Sequence, residues 1–328
     1  MTKKIGFVSD VHLEFGHLDL NNKDNLDILI LAGDISTPHA WKWNHNSSAR
    51  KTKDIQMKFF KNIADQFPKI IYIPGNHEHY HGDYMDTEKL LQTNLAQFPN
   101  IQVGNHLVHE DNDFVIIGDT LWTDFDNNNS ITMLKSQVGM NDFRLIYLDR
   151  SFLNPRDVFV IHRTALANIA NDIARFPDKK IIVVSSAPQI RYPDCYGIDM
   201  SKMKEFVAFR AALALLKERN LEHILDEVNL KCLLALENGT ATQENFVKAI
   251  YAPFTDQEIS DKIAEIVKPK NLQAELSIVY QTVENLNIAC PNHLGDWYFT
   301  GNFPTPGGNQ VVNKSFVNFM KGIEVRAY

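Results

Sequence analysis

The chain has 328 residues, of which 44% are hydrophobic and 22% charged, with a formal net charge of -7 and a pI near 5.9. Those values exclude a disordered or fibrous chain, and the length accommodates one large α/β domain or two ordinary ones. The acidic balance argues against non-specific nucleic-acid binding, which Lys and Arg drive by neutralising phosphates, and leaves a small phosphorylated substrate open.

The opening "MTKKIGFVSD" is basic, but its apolar run stops at Asp10, too soon for a signal-peptide core. No run reaches the roughly 18 apolar residues of a membrane span. Cys195, Cys232 and Cys290 are widely spaced and lack a CxxC pair, so neither a disulfide framework nor a zinc knuckle is expected. The expected location is cytoplasmic.

In chain order, short β-branched runs alternate with amphipathic stretches, the pattern of an α/β sheet protein. Strands are expected at 4–10, 26–34, 69–75, 113–122 and 179–185. A helix is expected over 54–67, where apolar spacing is helical and Pro68 follows. Another is expected over 154–176, where "NPRD" supplies Asn154 as N-cap, Pro155 at the first helical position and Asp157 in the first turn. Beyond 188 a Pro/Tyr/Cys/Gly loop leads into helical regions at 201–237 and 244–267. A strand at 274–283 and a Gly/Pro/Asn-rich loop at 295–309 follow.

Three strand ends share a composition: "SDVH" with Asp10 and His12, "AGDIS" with Asp34, and "PGNHEH" with Asn76 and His77. Ligands of open α/β sheets bind at the carboxyl ends of strands, so these five residues are expected to converge. A lone D-x-H or G-D would be an ordinary turn; three at successive strand ends are not. Carboxylate, imidazole and amide oxygen together suit divalent Mn, Fe or Zn. One Asp can bridge two such ions about 3.5–4 Å apart, an arrangement suited to phosphoryl displacement.

The order and spacing resemble the calcineurin-like metallophosphoesterases, whose motifs run D-x-H, G-D and G-N-H-[DE]. The resemblance covers residues 3–184 and implies a layered α/β fold. It implies that Asp10 and His12 hold a first metal, Asp34 bridges, Asn76 holds a second, and His77 contacts the phosphate or protonates the leaving oxygen. Glu78, at the acidic position after that His, would stand behind the ligands. His79 and His81 are expected in a polar loop over the site mouth, and His106 and His109 on the surface or a strand flank. His39 and His45 lie in a loop rich in Trp, Asn and Ser, where substrate contact has no support. Asp124 and Asp126 read as solvated loop acids.

The same family supplies later ligands, a His closing the fifth strand and a G-H-x-H, and neither motif occurs here. Ser185 or Ser186 stands where the first should be, and by that resemblance the first metal loses one protein ligand and the second loses two. His223, His293 or water are the available substitutes. Strings such as "SSAPQIRYPDCYGIDM" and "ACPNHLGDWYFTGNFPTPGGN" resemble the C-terminal part of glutamine amidophosphoribosyltransferase. That resemblance implies a mainly helical second region, 185–328, fused to a first domain, 1–184, within a shared strand. Tyr196, Gly197 and Asp199 match positions of the second family's pattern. Its N-terminal nucleophilic cysteine and its phosphate-cradling loop are both missing, and Cys195 and Cys290 read as buried structural thiols.

The expected fold is therefore α/β, metallophosphoesterase-like, incomplete in its second half, with exposed sheet surface that a second copy could cover. The expected function is metal-dependent phosphoester hydrolysis, weakened by the missing ligands. The alternatives are a catalytically silent fusion and a phosphoribosyltransferase-related role for the tail.

Overall fold

The computed structural model describes residues 3–43, 47–112, 114–185, 188–193, 202–289, 295–323, 325 and 327. Two compact units divide the chain, Met1–Pro177 and Asp178–Tyr328. The strands of the first unit are β1 (Ile5–Val8), β2 (Ile28–Ala32), β3 (Lys69–Ile73), β4 (Gly82–Asp83), β5 (Ile101–Val103), β6 (His106–Glu110), β7 (Val115–Asp119), β8 (Ile146–Leu148) and β9 (Ser151–Phe152).

β1, β2, β3 and β5 form a sheet in that order, with every neighbouring pair parallel. A parallel sheet is covered on both faces, which is why "ILILA" and "KIIYI" are continuous apolar runs rather than alternating ones. Leu29, Leu31, Ile70 and Tyr72 point to one side and pack with Phe59, Phe60 and Ile63 of the helix Ser47–Gln66 and Leu91 of the helix Tyr84–Leu95. Ile28, Ile71 and Ile73 point to the other side and meet Leu107 and Ile116 of the antiparallel β6–β7 pair. Phe59 and Phe60 are fully buried, each worth about 2–3 kcal/mol relative to exposure.

The expected strand at 113–122 thus leaves the main sheet and pairs back on β6. Its place in the sheet goes to β5, three residues that carry too little pattern to stand out. A third, small sheet joins β4, β8 and β9. The helix Pro155–Arg175 begins as its sequence requires: Asn154 accepts from the N–H groups of Arg156 and Asp157, and Asp157 closes the capping box.

In the second unit β10 (Ile181–Ser185) pairs parallel with β11 (Leu276–Tyr280). The run at 179–185, expected to close the first half's sheet, therefore has its partner almost a hundred residues downstream. An apolar β-branched run states that it will pair but not with what. The helical stretch 201–237 is divided into Val207–Glu218 and His223–Glu237, with Asn220 left-handed between them at φ 55°. The loop expected at 295–309 contains a helix start, because Pro306 occupies the first turn of Pro306–Met320 and is suited to that place. Phe209, Leu216 and Phe316 of these helices share one core with Ile250 of the helix Lys248–Tyr251 and Ile263 of the helix Asp256–Val267. Among the described residues no helix is long and apolar enough to cross a membrane.

Candidate metal centre

Because the four strands run parallel, the loops after β1, β2 and β3 leave from the same edge of the sheet. Backbone bonds lace the first two together: Asp10 N–H donates to Gly33 O at 3.0 Å, His12 N–H to Asp34 O at 2.9 Å and Leu13 N–H to Ile35 O at 3.1 Å. Asp10, His12 and Asp34 all adopt left-handed backbone, at φ 55°, 49° and 56°. Such geometry costs a non-glycine residue about 1–3 kcal/mol and persists where surrounding bonds over-determine it.

The third loop is pinned to the second by Glu78. Its Oε1 accepts from the N–H of Ile35 at 2.7 Å, the N–H of Ser36 at 2.8 Å and the hydroxyl of Tyr72 at 2.7 Å. Its Oε2 accepts from the N–H of Asp34 at 3.0 Å and of Gly75 at 2.6 Å. Burial pushes this carboxyl above its ordinary pKa, against the pull of those N–H and hydroxyl donors. Glu78 thus acts on the site through the backbone of Asp34. The glycines of the two motifs allow the approach: a Cβ on Gly75 would lie 2.2 Å from Asp34 Oδ1, and one on Gly33 would lie 3.0 Å from Gly75 Cα.

Three of the five residues expected to converge lie together. One ligand atom each of Asp10, His12 and Asp34 lie within 4.8 Å of one another. Asp34 Oδ1 accepts the His77 N–H at 3.0 Å, which fixes the start of the third loop against the second. Asn76 donates its Nδ2 to the Tyr80 hydroxyl at 3.3 Å, so its Oδ1 is the atom available as a ligand. The Tyr80 ring stacks on His77, centroids 4.3 Å apart. Burial pushes the Asp34 carboxyl up, and the charge of Asp10 adds to that, against the opposing effect of His77.

One participant was not anticipated. Glu14 Oε1 lies 2.8 Å from His77 Nδ1 and 3.2 Å from His12 Nδ1, and the three residues form a second candidate ligand group. Burial works against the charged His77 ring, yet the Glu14 hydrogen bond and the Asp34 charge outweigh it and hold the imidazole above its ordinary pKa. Burial likewise opposes the Glu14 anion, and the hydrogen bonds from His77 and His12 hold it below the usual carboxylate range. The signal was the D-x-H-x-E spacing, which places Glu14 two residues beyond His12.

The other histidines divide differently from expectation. His79, expected at the site mouth, is fully buried and shares the Thr87 hydroxyl with buried His39, at 2.8 and 2.9 Å. That one hydroxyl serves a nitrogen of each ring, while His79 Nε2 is buried without a hydrogen-bond partner among the described residues. His81 is exposed. His106 sits between Asp119 and Asp172, 3.1 Å from each. Asp124 and Asp126 join neither candidate ligand group. His223 is exposed at the start of its helix in the second unit. His45, Ser186, Cys195, Tyr196, Gly197, Asp199, Cys290 and His293 lie outside the described residues, and of Ser185 only the backbone is described.

The sequence model of the calcineurin-like phosphoesterases matches residues 3–225. The chain belongs to the calcineurin-like phosphoesterase family. Members of this family generally bind divalent metals, and the Asp and His donors gathered here fit such an ion by charge and ligand type. The chain is 35% identical over 157 residues to uncharacterized protein L509 of Acanthamoeba polyphaga mimivirus, across 43% of this chain and 50% of that relative. It therefore spans about half the length of the curated relative it matches. The phosphopantetheinyl hydrolase of Mycobacterium tuberculosis aligns over 58% of this chain and 70% of that one, at 17% identity and a TM-score of 0.35, too loose a fit to bear on the argument.

Proposed function

We propose that the chain hydrolyses a small phosphorylated substrate, a phosphate mono- or diester, in a metal-dependent reaction. Asp10, His12 and Asp34 would hold the first ion, and Asp34 with Asn76 the second. The observation that carries this reading is the convergence of Asp10, His12 and Asp34 within 4.8 Å on backbone held in a costly conformation. The ions would supply Lewis acidity toward phosphoryl oxygens and toward the attacking water. His77, kept above its ordinary pKa, would hold a proton for the leaving oxygen. Asp10 is exposed, which leaves that side of the cluster open to substrate.

The strand-end His and the G-H-x-H absent from the sequence would have completed the ligand sets, so turnover is proposed to be slow. The reading is tested by Mn²⁺-dependent hydrolysis of an aryl phosphate mono- and diester, comparing the protein with Asp34→Asn. Activity lost in the variant supports a working centre; equal, background-level rates reject it in favour of a catalytically silent chain. Fusion to a phosphoribosyltransferase tail has only the sequence strings behind it. The family match continues past 184 to residue 225, which favours a single ancestry across the expected junction.

A further inference from the structure

Family resemblance assigns the acid after G-N-H to a place behind the ligands, near His77. In this chain both oxygens of that acid, Glu78, are occupied by the N–H groups of Asp34, Ile35, Ser36 and Gly75 and by the Tyr72 hydroxyl. A different carboxylate reaches the imidazole. Glu14 Oε1 is within hydrogen-bond distance of Nδ1 of both His77 and His12, whose rings meet edge to face with centroids 4.3 Å apart. One oxygen thus serves two histidines with different proposed tasks.

We propose that Glu14 is a positioning residue that locks His12 and His77 together in the Nδ1–H tautomer, leaving Nε2 of each ring as its lone-pair nitrogen. The chemistry is direct. An ionised carboxylate only accepts, so each Nδ1 facing it must carry the proton. A neutral imidazole with its proton on Nδ1 has one remaining lone pair, on Nε2. His12 can then give a metal only Nε2, and His77 can exchange a proton with substrate only there. Carboxylates that orient ligating histidines in this way commonly change metal affinity or activity by about 10–100-fold when removed. The role assigned to His12 and His77 rests on the phosphoesterase reading; the tautomer lock itself does not.

Glu14 Oε2 is buried with no hydrogen-bond partner among the described residues, which makes direct ligation the rival role for this side chain. The test separates the two. Histidine side-chain ¹⁵N spectra of the metal-free protein, at about pH 8.5 where unperturbed rings are neutral, should show His12 and His77 with Nδ1 protonated. Glu14→Ala should release both rings toward Nε2–H and weaken Mn²⁺ binding, followed by calorimetry, about 10–100-fold. Glu14→Gln, whose amide oxygen still accepts, should keep the tautomer and most of the affinity. Unchanged ring spectra in a folded Glu14→Ala protein would overturn the lock. Equal loss of affinity in the Gln and Ala variants would assign Glu14 as a metal ligand and overturn it as well. A locked wild-type tautomer without aryl phosphate turnover would instead reject the phosphoesterase reading and leave the lock standing.

Discussion

Glu78 holds Asp34 by its backbone: one carboxylate oxygen accepts the Asp34 N–H at 3.0 Å while the side chain is entirely buried. The same carboxylate gathers four N–H groups from two loops and the Tyr72 hydroxyl from β3. Glu78→Gln would place an NH₂ group against at least two of those donors, whichever way the amide turns. The expected cost is about 3 kcal/mol or more, because at least two buried donors lose their acceptor at about 1–3 kcal/mol each. Chemical denaturation of the variant measures it; a loss below about 1 kcal/mol would show that the loops are held by other means.

Gly75 faces the same contact from the other side. In Gly75→Ala the new methyl falls 2.2 Å from Asp34 Oδ1 and 2.7 Å from Asp34 N. The backbone nitrogen cannot swing aside as a side chain can, so the two loops must separate, at about 1–3 kcal/mol. Mn²⁺ affinity should fall along with stability. A variant that binds Mn²⁺ as wild type does would mean that the loops do not have to touch for the ligands to converge.

Metal addition should stabilise the fold. If Asp10, His12 and Asp34 bind an ion in the folded state alone, Mn²⁺ at 100 times its Kd adds about 2.7 kcal/mol. A chelator should reverse the rise in Tm, and Asp34→Asn should abolish it. A Tm indifferent to Mn²⁺ in the wild type would count against the centre regardless of any assay of activity.

Acid should weaken the fold through His39. Burial, with Lys42 nearby, lowers its pKa from 6.5 to about 4. Between those values the unfolded chain binds a proton that the folded chain does not, so stability is full above about pH 6.5 and declines as the pH falls. The decline attributable to this residue reaches about 3 kcal/mol near pH 4. In His39→Gln the plot of unfolding free energy against pH should lose one proton's worth of slope in that window. An unchanged slope would show that another group carries the acid sensitivity.

A smaller effect calibrates these. Asn154→Ala removes the cap from Pro155–Arg175, a helix far in sequence from the ligand loops, and should cost about 1 kcal/mol with Mn²⁺ binding unchanged. Loss of binding in this variant would show that the centre depends on the helix.

Much of the site was legible because its residues sit in contiguous motifs with their own local chemistry. Asp10, His12, Asp34, Asn76 and His77 each lie within four residues after an apolar strand, and a parallel sheet brings such positions to one edge. The partners of those residues were harder to read. Glu14 is two residues from His12, but only the return of the chain through β3 places His77 on its other flank. His79 looks like a surface residue in "HEHYH" because nothing nearby announces Thr87, whose hydroxyl takes one nitrogen of the buried ring. Pro306 and its two following glycines read as a loop, although the same Pro starts a helix once the downstream apolar face has a core to enter.

By itself the sequence determined the strands and helices with strong periodicity, the cap at Asn154, and the donor types available at three strand ends. Those depend on neighbours a few residues apart, where backbone geometry sets what a side chain can do. Tertiary structure alone decided that 181–185 pairs with 276–280, that Glu78 serves backbone N–H groups, and that Glu14 joins two imidazoles. Pairing partners and hydrogen-bond acceptors are chosen by distance in space, and burial determines which polar groups must find one another.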